Sequence, residues 1–107
     1  MEVFALLIML VNIWKGLTFL GAYTIFNLVD SKLKVLSIYG SEDKVLNMKK
    51  YQKYKSSLPI DLTEFEIEGG CHSYFGMYGI KSGDGIPNIS NEEQIEITAD
   101  KIYQWIN

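Results

Sequence analysis

Leu36-Ser37-Ile38-Tyr39-Gly40-Ser41-Glu42-Asp43 is an apolar run that stops at a glycine and delivers a carboxylate three residues later. Ile67-Glu68-Gly69-Gly70-Cys71-His72 repeats the arrangement about thirty residues on, and this time the turn delivers an imidazole. Short apolar runs bounded by glycine suit strands covered on both faces, as parallel strands are. Each turn therefore presents a polar, titratable side chain at the point where a buried strand ends.

Working outward from these turns, Val35–Tyr39 reads as one strand and the strictly alternating 64–68 as another, with a wetter face that places it near a sheet edge. Upstream, Leu17-Thr18-Phe19-Leu20-Gly21-Ala22-Tyr23 is short, apolar and glycine-bounded, so it is a third strand. Residues 45–57 place Val45, Met48 and Tyr51 at helical spacing and end before Pro59. Ser90 with Glu93 forms a capping box, and Ile95, Ala99, Ile102, Tyr103 and Ile106 then fall on one stripe of a final helix. The glycine-rich stretch 74–89 is a long loop. Residues 2–11, dominated by Ala, Leu and Met, favour a helix.

Helices alternating with strands imply parallel pairing by right-handed crossovers. The expected fold is α/β and three-layered: a partial parallel sheet of about three strands with flanking helices, forming one domain over residues 1–107. The strand at 17–23 is apolar enough to be an interior strand of a larger sheet, so something is expected to be missing on its N-terminal side.

Composition narrows the function classes. The 107 residues are 48% hydrophobic, enough for a core, and a net charge of −3 without a basic stripe argues against nucleic acid as a partner. All ten cations are lysine, so guanidinium clamping of phosphate or carboxylate is absent. A single cysteine excludes an internal disulfide, and one His with one Cys excludes the usual closed zinc site. No cofactor is expected. Val3 to Trp14 is nearly all apolar, but a bilayer core needs roughly 20 such residues, so a buried helix is favoured over a membrane anchor and a cytoplasmic location is expected.

Asp43 can be read in two ways. It can accept the Nδ1–H of a histidine, fixing the tautomer, or it can bond the backbone of its own turn or cap the helix that follows. His72 is the only imidazole, and the glycines before it let the chain throw the ring back over the sheet toward an aspartate. Cys71 points away from its neighbour in an extended chain and reads as a small buried hydrophobe rather than a nucleophile. Ser41 and Glu42 are expected to face solvent. Ser37 and Ser73 occupy no strand-to-helix elbow, and Asp84 between Gly83 and Gly85 is only a fragment of a calcium-loop pattern. An Asp and then a His after successive strands form the second half of a Ser…Asp…His triad; no Gly-x-Ser-x-Gly elbow accompanies them.

The segments Lys15-Gly16-Leu17 through Tyr23, Leu36 through Asp43, Ile67 through Gly76, Tyr78-Gly79, Gly83-Asp84-Gly85 and Ile89 through Gln94 together resemble the C-terminal part of an alpha/beta-hydrolase, of the esterase-like group related to dienelactone hydrolases. The resemblance implies that Asp43 and His72 are the catalytic acid and base for a serine on an earlier strand. Residues 2–12 resemble the helix after such an elbow. It further implies a small ester-like substrate, provided that an N-terminal half completes the site, and inactivity of this chain alone. The alternative expectation is a small membrane-peripheral or partner-binding protein without catalysis.

Overall fold

A computed structural model describes residues 6–11 and 14–107, with 6–11, 14 and 15 as backbone alone. It contains strands β1 (Leu6–Val11), β2 (Trp14–Leu20), β3 (Lys34–Gly40) and β4 (Leu62–Ile67), and helices α1 (Met48–Tyr54) and α2 (Asn91–Ile106). Single 3-10 turns follow α1 at Lys55–Ser57 and open the long loop at Ser73–Phe75. The strands form one sheet in the order β1-β2-β3-β4. β2, β3 and β4 run parallel, with Thr18 beside Leu36 and Ile38 beside Phe65. The fold is α/β, with three parallel strands and helices on both faces. Among the described residues, no helix is long and apolar enough to cross a membrane.

The faces follow from strand alternation. Leu36 and Ile38 of β3 and Ile67 of β4 point to one side, where Ile97, Ile102 and Trp105 of α2 cover them. Val35, Ser37 and Tyr39 point to the other, where α1 lies: the Tyr51 hydroxyl sits 2.7 Å from Ser37 Oγ and donates to Glu64 at 2.7 Å. Phe19, Ala22 and Val35 extend that second core beneath Leu58.

The N-terminal expectations change. Residues 6–11 form no helix but a strand antiparallel to β2, from Leu6 opposite Phe19 to Val11 opposite Trp14, and over these residues the likeness to a post-elbow helix goes with it; residues 2–5 and 12 lie outside the described residues. Helix propensity amounts to tenths of a kcal/mol per residue, and a row of free hydrogen-bonding groups along β2 outweighs it. The side of β2 where a strand was expected to be missing is thus occupied by β1 of this same chain, and β4 is the charged edge. β2 itself runs three residues earlier than 17–23, because Gly21 turns the chain with φ +60°.

The helices also shift. Asn47, not a residue near 45, caps α1 by accepting from Lys50 N–H at 3.0 Å, and Met48 is exposed. α2 begins where expected, with Ser90 Oγ accepting from Glu93 N–H at 3.1 Å. Its core face is rotated, however: Gln94 and Thr98 are buried, while Tyr103 is 70% exposed. The rotation arises because the Gln94 amide has hydrogen-bond partners inside.

Candidate active site

The two turns meet. Asp43 Oδ2 lies 2.9 Å from His72 Nδ1; the Asp43 side chain is fully buried and that of His72 is 5% exposed. Both sit past the C-terminal ends of adjacent parallel strands, β3 and β4. Asp43 satisfies both of its readings at once. Its Oδ1 accepts from the N–H groups of Val45 and Leu46 at 2.9 and 2.8 Å, and its Oδ2 is left for the ring. Three bonds on a buried carboxylate fix its orientation, and the carboxylate in turn selects the tautomer with the proton on Nδ1.

The glycines make room for this contact. A methyl group on Gly21, at the end of β2, would lie 2.9 Å from His72 Nδ1 and 3.0 Å from Asp43 Oδ2. The pair therefore packs directly against the backbone leaving β2, so three strand ends build the site. Gly69 takes φ +82°, which turns the chain off β4, and Gly70 lets Gln94 come close. Gln94 then bonds Cys71 twice: its Oε1 accepts from Cys71 N–H at 3.0 Å, and its Nε2 donates to Cys71 O at 2.8 Å. These bonds anchor the backbone immediately before His72 to α2.

The remaining singled-out residues fall as follows. Cys71 is buried, and burial pushes its thiol up from the ordinary value, which is the opposite of what a nucleophile needs. Ser41 does not simply face solvent: its hydroxyl accepts from Gly69 N–H at 2.8 Å and donates to Glu42 at 3.0 Å, joining the two turns. Ser37 is held by Tyr51, and Ser73 donates to Asp84 at 2.7 Å. Asp84 is surrounded by hydrogen-bond donors of the chain rather than by other acids, and no cluster of potential metal ligands occurs among the described residues. Sequence reading missed Gln94, which lies off the apolar stripe read from the sequence and is turned inward only in the folded chain.

Residues 8–96 match the model of the Alpha/beta hydrolase family, a span that includes both turns and the first part of α2. The chain belongs to that family. No curated protein and no solved structure matches it.

Proposed function

We propose that Asp43 and His72 are the acid and the general base of a serine hydrolase acting on carboxyl esters, and that the serine comes from outside these 107 residues. The observation that carries this reading is the buried 2.9 Å contact between Asp43 Oδ2 and His72 Nδ1 at adjacent parallel strand ends. In such a triad the carboxylate holds the ring with Nδ1 protonated. The other ring nitrogen takes the serine proton as the oxygen attacks the ester carbonyl, then returns it to the leaving alcohol. The ester class follows from the likeness of the two turns to the esterase-like group.

This chain has no Gly-x-Ser-x-Gly elbow, and Ser37, Ser41 and Ser73 are committed to other hydrogen bonds. Loss of the serine from a protease triad costs on the order of 10⁶ in kcat, so the chain by itself is inactive in this reading. The test is a serine-directed fluorophosphonate probe, applied to the chain alone and together with a polypeptide carrying the elbow serine. No labelling is expected alone; labelling of the added serine is expected in the mixture, and its loss in His72→Ala. Labelling of any serine in the isolated chain would refute the proposal.

Ile25, Phe26 and Val29, 46–61% exposed in the β2–β3 connection, favour a second reading as a non-catalytic surface-binding protein. Co-sedimentation with phospholipid vesicles, abolished by Phe26→Ser, would support that reading over the first.

A further inference from the structure

Asp84 lies outside the Asp43–His72 contact yet bonds both segments that carry it. Its Oδ1 accepts from the N–H of Lys44, next to Asp43, and from the N–H of His72 itself, each at 3.3 Å. The same oxygen accepts from Gly85 N–H at 2.7 Å, and Oδ2 accepts from both the N–H and the hydroxyl of Ser73 at 2.7 Å. Ser73 Oγ in turn accepts from Lys81 N–H at 2.7 Å, which folds the long loop back on its own start. Five donors thus converge on two oxygens, from the turn after β3, the turn after β4 and the loop beyond.

This pattern has no counterpart in a simple loop anchor, which would bond only its own segment. Burial pushes the Asp84 carboxyl up, but the bonds from Ser73, Gly85 and Lys44 outweigh it and hold the group down to about 2. The carboxylate is therefore charged across the working range, and its charge-assisted bonds are of the stronger kind.

We propose that Asp84 is a positioning residue for the Asp43–His72 pair: by tying the backbone on both sides of the contact, it sets the spacing and ring angle on which the Nδ1–Oδ2 bond depends. Its importance for turnover rests on reading the pair as acid and base; its effect on the bond does not. The chain has one histidine, so the bond can be watched directly.

The experiment is proton and ¹⁵N NMR of the imidazole in the full chain at neutral pH. The wild type should show a far-downfield, slowly exchanging Nδ1 proton, assigned by its absence in Asp43→Asn. Asp84→Asn, folded by circular dichroism, should lose that signal or exchange it about tenfold faster, the change that weakening one net hydrogen bond produces. Asp84→Glu should recover part of it. A folded Asp84→Asn with an unchanged shift and exchange rate overturns the proposal. Should that variant not fold, Ser73→Ala removes a single donor: faster exchange supports the role, and unchanged exchange overturns it. Absence of the signal in the wild type overturns both the pair and its positioning. A wild-type signal without any serine labelling in the mixture ends the catalytic reading and leaves the positioning role standing.

Discussion

At the scale of single residues, the Asp43–His72 contact depends on what is not there as much as on the pair itself. Asp43 is satisfied by Val45 and Leu46 on one oxygen, so the other can be given wholly to the ring. Gly21 contributes an empty space. Gly21→Ala should destabilise the fold by roughly 1–3 kcal/mol, because a methyl group meets Nδ1 at 2.9 Å and an L side chain at φ +60° is strained. A lower urea midpoint together with a displaced His72 ring resonance would bear this out; an unchanged midpoint would contradict it. Cys71 illustrates the opposite case, in which chemistry that looks available is removed by burial.

At the scale of elements, α2 and β2 carry polar groups into the core with opposite consequences. Gln94 is buried and doubly bonded to Cys71, so its amide is compensated and the turn before His72 is held. Thr18 of β2 is buried as well, but its hydroxyl has no partner among the described residues. An unsatisfied hydroxyl of that kind costs about 1–3 kcal/mol, so Thr18→Val should raise stability by roughly 1 kcal/mol. Val is ordinarily a poor stand-in for Thr because it lacks the hydroxyl; here that lack is the gain. Denaturant unfolding decides the sign, and a loss of stability would show that the hydroxyl is satisfied in solution.

At the scale of the molecule, stability and the site share the same carboxylate. Asp84 has an ordinary value of 3.8 in the unfolded chain and about 2 when folded. A depressed folded value means that its contribution is complete above about pH 4 and is lost as the pH falls toward about 2. A depression of that size corresponds to at most roughly 2–3 kcal/mol, and solvent screening of a partly exposed carboxylate brings it to the lower end. Glu64 is lowered too, burial opposing it while the bonds from Lys55 and Tyr51 prevail, so the wild-type slope is not due to Asp84 alone. The readout is therefore a difference: the stability gap between wild type and Asp84→Asn should shrink by about 1–2 kcal/mol between about pH 5 and pH 2. A constant gap would mean that the Asp84 carboxyl titrates alike in the folded and unfolded chain and contributes no pH-dependent stability.

Much was legible in the chain before it was folded. Strand runs ending at Gly40 and Gly69 mark where the sheet stops, since glycine after an apolar run is a local backbone signal, and the Ser90 cap is equally local. Asp43 and His72 could be singled out as titratable side chains past two strand ends, because turns expose what they carry. What only the tertiary structure decided is non-local. Residues 6–11 are a strand because β2 offers an edge, and no propensity sum contains that edge. The face that α2 turns inward is set by where Gln94 finds the backbone of Cys71. Asp84 reaches segments about forty and about twelve residues away in the chain. Sequence pattern reports what each segment prefers alone; hydrogen-bond satisfaction across a closed core settles which of those preferences survive.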